Sequence, residues 1–307
     1  MHVMVIGAAG MIGRKLTAAL AKKGEINSRP IDRITGVDIV APEMPVSDLT
    51  CETTAGDLSA EGVAARIVAS RPDLIFHLAA IVSGEAEADF EKGYRINMDG
   101  TRALFEAIRR EGEKNPYCPK LVFTSSIAVF GEPLPEEIDD TFFLTPLTSY
   151  GTQKAIGELL LADYSRRGFL DGIGIRLPTI TIRPGKPNLA ASGFFSSILR
   201  EPLSGREAVL PVDDDVRHWF ASSRAAVGFL LHAAELDTEA LGARRTLSLP
   251  GLSATVGEEI EALCRKAAKR SGTEVAEGET GIGRNPAGDG LSLLLYREKS
   301  SEPGPFC

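Results

Sequence analysis

The chain has 307 residues, a formal net charge of −8 and a sequence pI of about 5.2, with 43% hydrophobic and 25% charged residues. That balance is ordinary for a globular protein of one large or two modest domains, and it provides no overall basic surface for nucleic acid or anionic membrane. No apolar run approaches the ~20 residues a membrane span needs. Cys51, Cys118, Cys264 and Cys307 are scattered without a CxxC pair, and the four histidines lack ligand spacing, so neither a metal site nor a disulfide framework is indicated. Reduced thiols of a cytoplasmic protein fit best.

The start, MHVMVIGAAGMIG, lacks a charged leader region and runs from an apolar strand (His2 to Ile6) into a Gly-rich turn. Met11 to Lys23 has helical spacing, with Ile12, Leu16, Ala19 and Leu20 on one face. Gly7, Gly10 and Gly13 therefore lie between a strand and a helix. The first permits a tight turn, the second lets backbone approach a pyrophosphate, and the third lets helix pack on strand. The free N–H groups and dipole of the helix N-terminus, at Met11 and Ile12, add to that anion site.

Arg33 to Val40 reads as a second strand carrying Asp38 at its end. A carboxylate there accepts a ribose diol and repels a 2′-phosphate, which favours NAD over NADP. Gly62 to Ser70 reads as a helix. Asp57-Leu58, after Ala55-Gly56, stands at the end of a third strand, where it meets an adenine edge or simply caps a turn. Asp73 to His77 is a strand ending in His77-Leu78-Ala79-Ala80, whose small residues leave room for a cofactor; His77 reads as a packed strand-end residue. Phe90 to Arg110 is a long helix.

Lys120 to Ser125 is a strand running into Ser126, Ser149 to Arg167 a helix, and Gly172 to Leu177 a strand. Strands that are nearly continuous apolar runs, alternating with helices, predict a parallel sheet covered on both faces: a doubly wound α/β fold. Ligands sit at the carboxyl ends of such strands. Ser126 leaves one strand end, and Tyr150 and Lys154 begin the next helix four apart, on one face. The three converge on a nicotinamide site. A phenol is a poor base at pH 7, and an adjacent ammonium favours the phenolate. Tyr150 then takes the proton of an alcohol, Ser126 orients that alcohol, and Lys154 supports Tyr150 and the nicotinamide ribose.

After Pro178 the alternation fails. Arg224 to Leu236 is a helix, Arg245 to Pro250 is strand-like, and Thr255 to Lys269 is a helix behind a capping box of Thr255 and Glu258. Three regions are expected: a dinucleotide-binding domain at 1–178, a smaller lobe at 179–269 partly interleaved with it and closing over the sheet, and a poorly ordered Gly-rich tail at 270–307.

The chain resembles the extended short-chain dehydrogenase/reductases, the NAD-dependent epimerase/dehydratase family. The motifs that carry the resemblance are Gly7 to Gly13, Asp57, His77 to Ala80, Asn97 in NMDGT, Ser125-Ser126 in TSSIAVFG, and Tyr150-x-x-x-Lys154. It covers roughly residues 1 to 265. It implies NAD as cofactor, a catalytic set of Ser126, Tyr150 and Lys154, a positioning role for Asn97, and a homodimer paired through the helices at Phe90–Arg110 and Ser149–Arg167. Ile156, Leu159 and Leu160 fit that interface or the sheet equally. Asn97 also fits as a helix residue satisfying local backbone.

The family's nucleotide-sugar enzymes differ here. Dehydratases follow the catalytic hydroxyl with Asp-Glu, where this chain has Ile127-Ala128. Thr179 replaces an Asn after the sixth strand, and Phe130 a Tyr. Arg183, Lys186, Arg217 and His218 supply positive groups. Arg217 matches the position that holds the anionic end of the substrate, although it also fits as a surface partner of Asp213 to Asp215. The segments resemble a branch acting on a small sugar acid, which implies substrate contacts at Ser126, Tyr150, Thr179 and Arg217. The expected reaction is oxidation of D-erythronate at C2 to 2-oxo-tetronate. A redox-neutral nucleotide-sugar epimerase with tightly bound NAD is the alternative, and a non-catalytic dinucleotide sensor a third.

Overall fold

A computed structural model describes residues 1–185, 189–271 and 295–297. The chain divides into two compact units: Met1–Pro178 with Arg224–Leu249, and Thr179–Ser223 with the residues from Pro250 on.

The first segment runs β1 (His2–Ile6), α1 (Met11–Lys23), β2 (Glu25–Ile26), β3 (Arg29–Pro30), β4 (Arg33–Asp38), β5 (Thr50–Ala55), α2 (Val63–Val68), β6 (Leu74–His77), α3 (Ser83–Ala88) and α4 (Phe90–Gly93). A wide π turn over Tyr94–Asp99 leads into α5 (Gly100–Lys114), followed by β7 (Lys120–Ser126), a 3-10 turn (Ile127–Val129), α6 (Ser149–Arg166) and β8 (Asp171–Leu177). The long helix expected over Phe90–Arg110 is thus interrupted. The expected strand over Arg33–Val40 stops at Asp38, leaving Ile39 and Val40 exposed.

The second segment enters the other unit with β9 (Thr179–Ile180), α7 (Phe194–Leu203), β10 (Ala208–Leu210) and β11 (Arg217–Ala221). The chain then supplies α8 (Ser223–Glu235) and β12 (Thr246–Ser248), and finally β13 (Leu252–Thr255), α9 (Val256–Ser271) and β14 (Leu295–Arg297).

In the first unit seven strands form one sheet in the order β12-β8-β7-β6-β1-β4-β5, every pair parallel. This is the doubly wound α/β arrangement. Alternate side chains of β1 feed opposite faces, as strand geometry requires. Val3 and Val5 pack with Leu16 and Leu20 of α1 and with Leu230 of α8. Met4 and Ile6 pack with Ile67, Leu104, Phe105 and Leu161 from α2, α5 and α6.

The stretch 224–249, read from sequence as part of the smaller lobe, belongs to this unit. β12 pairs with β8 (Thr246 opposite Gly174), where a Cβ on Gly174 would lie 2.5 Å from Thr246 Oγ1. Val227, Leu230, Ala233 and Ala234 of α8 complete the core.

The second unit holds a sheet in the order β13-β11-β9, with β9 parallel and β13 antiparallel to β11. Phe195, Ile198, Phe220, Val256, Ile260 and Leu263 form its core. The capping box forms: Thr255 N–H donates to Glu258 Oε2 (2.7 Å), and Glu258 N–H to Thr255 Oγ1 (3.1 Å). β14, within the stretch read as lacking order, pairs in parallel with β10. The rest of that expectation, from 272 on, lies outside the described residues. Among those residues no helix is long and apolar enough to cross a membrane.

Phe105 is fully buried and meets Phe123 edge-on beneath α6. Phe105→Ala is expected to cost about 3–5 kcal/mol. Urea unfolding followed by circular dichroism measures it, and an unchanged midpoint would contradict this packing.

Candidate active site

The loop between β1 and α1 is built on backbone contact. Gly7 adopts φ +92°, and a Cβ there would lie 2.7 Å from the Ala79 nitrogen. A Cβ on Gly13 would lie 2.1 Å from the Gly7 carbonyl oxygen. Both positions therefore demand glycine. A Cβ on Gly10, by contrast, would approach only the Gly7 carbonyl, at 3.3 Å. α1 starts with no side-chain cap and no acidic residue in its first turn. Its free N–H groups, around Met11, Ile12 and Gly13, form an open anion seat beside the half-buried Leu78, Ala79 and Ala80.

Asp38 ends β4 at this loop. Its Oδ2 accepts from the Ala9 N–H (2.9 Å) and its Oδ1 from the Ile39 N–H (2.8 Å), so the carboxylate also braces the glycine turn. Asp57 lies at the next strand end. It accepts from Ser59 N–H (2.9 Å), Ser59 Oγ (2.6 Å) and Arg95 Nη1 (3.1 Å), a turn-capping arrangement. The Leu58 side chain, expected beside the cofactor, packs in the core with Val37 and Ala64, because the turn points it inward.

The π turn positions Asn97. Its Oδ1 accepts from the Ile81 N–H (2.8 Å), and its Nδ2 donates to the Ile81 carbonyl (3.3 Å) and to Gln153 Oε1 of α6 (2.8 Å). The Asn97 carbonyl accepts from Thr101 Oγ1 (2.7 Å), which leaves that hydroxyl oxygen to accept from His77 Nε2 (2.9 Å). His77 is a buried structural residue, as read from sequence. Burial, reinforced by the Lys154 charge, pulls it down to about 3, so it is neutral.

Thr148 caps α6 by accepting from the Gly151 N–H (3.0 Å). A Cβ on Gly151 would lie 2.1 Å from the Ala128 carbonyl oxygen, and one on Gly157 2.7 Å from the Phe123 ring. The glycines let α6 settle onto the end of β7, where Ser126 Oγ accepts from the Ala128 N–H (3.1 Å) and keeps its own proton to donate. Lys154 is buried. Its Nζ donates to the Thr124 carbonyl (2.9 Å) and lies 5.0 Å from the Phe123 ring centroid and 5.7 Å from that of Tyr150. Burial lowers its pKa to about 8, with Glu158 opposing. Thr124 Oγ1 donates to the His77 carbonyl (3.0 Å), which joins this cluster to the Asn97 network.

The remaining predicted residues stand in the second unit. Thr179 Oγ1 bonds His218 Nε2 (2.7 Å), and His218 stacks on Phe195 (centroids 4.5 Å apart). Burial pulls His218 down to about 4, so it is a neutral packed ring and not the positive group expected from sequence. Arg217 is exposed, with Ser253 Oγ at 3.4 Å and Glu258 Oε2 at 3.5 Å from its Nη1. Arg183 is anchored by the Ile180 carbonyl and Ser192. Lys186 lies outside the described residues. Sequence reasoning missed Gln153, Glu158 and Arg176. Only Glu158 left a readable trace there, one helical turn beyond Lys154.

A family model described as the NAD dependent epimerase/dehydratase family matches residues 3–241. The chain belongs to this family. Among its relatives, a D-erythronate dehydrogenase of Cupriavidus necator is 49% identical over 87% of this chain and 82% of its own length. A D-erythronate dehydrogenase of Haemophilus influenzae is 42% identical over 86% of this chain and 81% of its own. A solved structure described as a nucleoside-diphosphate-sugar epimerase from Agrobacterium tumefaciens has a TM-score of 0.85 and 61% identity, covering 97% of this chain and 82% of that one.

The cofactor of this family is NAD. The glycine turn fits it: two positions have no space for a side chain, and the helix start leaves its donors free. Among the described residues no group of His, Cys, Asp and Glu side chains is arranged to hold a metal.

His77 and His218 set a pH dependence. An unfolded chain protonates both near 6.5, the folded chain only near 3 and 4. Their neutral states therefore cost the fold nothing above 6.5, and stability falls as pH drops below it, by up to about 1.4 kcal/mol per unit for each group. Urea midpoints at pH 7, 6 and 5 check this. His218→Gln should flatten the slope, and an unaltered slope would remove His218 from the account.

Proposed function

We propose that the chain is an NAD-dependent dehydrogenase that oxidises D-erythronate at its C2 hydroxyl to 2-oxo-tetronate. The observation that carries the dehydrogenase chemistry is the buried Lys154 ammonium, 5.7 Å from the Tyr150 ring, at the strand end that carries Ser126. The substrate rests on the two relatives named D-erythronate dehydrogenase.

When bound, NAD supplies the hydride acceptor. The residues proposed to hold it are Gly7, Gly10, Met11, Ile12 and Gly13 at the phosphates, Asp38 at the ribose diol, Asp57 with the Leu58 backbone at the adenine end, Leu78 to Ala80 along its length, and Asn97, Tyr150 and Lys154 at the nicotinamide end. Ser126 donates a hydrogen bond to the substrate alcohol oxygen and fixes it. Tyr150, as phenolate, takes the alcohol proton as the carbon gives up its hydride, and Lys154 stabilises that phenolate. The proton then passes from Tyr150 to solvent. Thr179 and Arg217 are the proposed substrate contacts, Arg217 for the carboxylate.

Two copies are proposed to pair through α5 and α6, where Leu159 stands 66% exposed; a monomeric mass by light scattering would contradict that. The cytoplasm is the proposed compartment, and recovery in a membrane or secreted fraction would exclude it.

With NAD and D-erythronate, absorbance at the NADH band should rise, and Tyr150→Phe should cut kcat by roughly 10²–10⁴-fold. Asp38→Ala should raise the kcat/KM for NADP relative to NAD. The second reading, a nucleotide-sugar epimerase, has the 61% identical Agrobacterium protein in its favour. It consumes no free NAD. Interconversion of nucleotide-sugar epimers without net NADH, and no NADH from any sugar acid, would establish it in place of the first.

A further inference from the structure

Glu158 and Arg176 form an ion pair inside the first unit, each less than a tenth exposed. Arg176 Nη2 lies 2.8 Å from Glu158 Oε2, and its Nε lies 3.1 and 3.2 Å from the two carboxylate oxygens. The Ser125 hydroxyl donates to Glu158 Oε1 (2.5 Å), directly before Ser126 in β7. Arg176 is itself fixed: its Nη1 donates to Ser248 Oγ (3.3 Å), its guanidinium lies 4.9 Å from the Phe130 ring centroid, and its carbonyl accepts from the Leu249 N–H (3.3 Å). A buried ion pair is a poor device for stability alone, because well-packed apolar residues are often as stable or more so. Its position is informative. Glu158 is one helical turn beyond Lys154, on the same face of α6.

The groups facing Lys154 are few. Tyr150 and Glu158 share its helix, β6 contributes the neutral His77 and β7 the Thr124 carbonyl, while Arg176 of β8 reaches this cluster through its pair with Glu158. Glu158 is the one carboxylate among them.

We infer that Glu158 is the counter-charge of the buried Lys154 ammonium, held in register by Arg176 and Ser125, so that both Glu158 and Arg176 are positioning residues for proton transfer. Burial drives Lys154 towards the neutral amine, and Glu158 acts against it. Without Glu158 the lysine gives up its proton closer to neutrality, and Tyr150 loses the cation beside its phenolate. The alkaline limb of the rate profile then moves to lower pH. The consequence for turnover rests on the dehydrogenase reading; the charge coupling does not.

The test is a pH titration of the Lys154 side chain by NMR in protein labelled at lysine ¹³Cε, without cofactor, assigned by the signal that Lys154→Arg removes. Wild type is compared with Glu158→Gln and with the double variant Glu158→Leu/Arg176→Met, which removes both charges and fills their space. The Lys154 midpoint should fall by about one unit in the double variant and at least as far in Glu158→Gln, which leaves the Arg176 charge unpaired, while the double variant keeps its fold and its thermal midpoint. A Lys154 midpoint unchanged from wild type in the folded double variant overturns the inference, leaving the pair purely structural. NADH formation from D-erythronate gives the second readout, and its alkaline limb should follow the NMR shift. A shifted midpoint with no NADH from any sugar acid upholds the charge coupling and rejects the dehydrogenase reading instead.

Discussion

A lysine ammonium shut away from water is the constraint around which the first unit's site is arranged. Lys154 gains one carbonyl bond, from Thr124, and the faces of two rings in exchange for its hydration. That exchange is unfavourable in isolation. It persists because α6 is pinned against β7, with glycines at 151 and 157 removing the side chains that would lift the helix away. The same burial keeps His77 neutral, and the Lys154 charge beside it acts in the same direction.

These contacts close on themselves. His77 bonds Thr101, Thr101 bonds the Asn97 carbonyl, Asn97 bonds Gln153 on α6, Lys154 on the same helix bonds Thr124, and Thr124 returns to the His77 carbonyl. Five elements are tied at one point: the end of β6, the π turn, the start of α5, the start of α6 and the end of β7. A circuit of this kind resists small displacements, because no member can move without breaking a buried bond. At the other end the glycine turn is fixed by backbone packing and by Asp38. Placement of the two ends relative to each other therefore depends on the sheet, which carries both.

Much of this was legible in the sequence, for physical reasons. Gly7 and Gly13 read directly, because backbone contact at those two positions admits only one residue type. Tyr150 and Lys154 read as a pair, because helix periodicity fixes their common face. The capping box at Thr255 is equally local. What did not read was long-range. Nothing near Asn97 announces that the helix widens there, since the widening serves a partner more than fifty residues away on α6. The core role of Leu58 depends on which way a turn points its side chain. His218 reads as a cation from sequence but is neutral, because burial against Phe195 and Phe220, which sequence spacing does not bring to it, decides its charge. α8 and β12 read as part of the lobe because they follow it in the chain, although their apolar faces belong to the earlier sheet.

That return has a consequence for how the protein is made on the ribosome. The last strand and one covering helix of the nucleotide-binding sheet emerge only after β9 to β11, which belong to the other unit. Until α8 arrives, the face bearing Val3, Val5 and Phe76 lacks one of its covers, and β8 remains an open edge. The nascent chain must therefore carry an incomplete sheet through the synthesis of an entire intervening segment, a period of exposure during which chaperone capture or edge-to-edge association competes with closure.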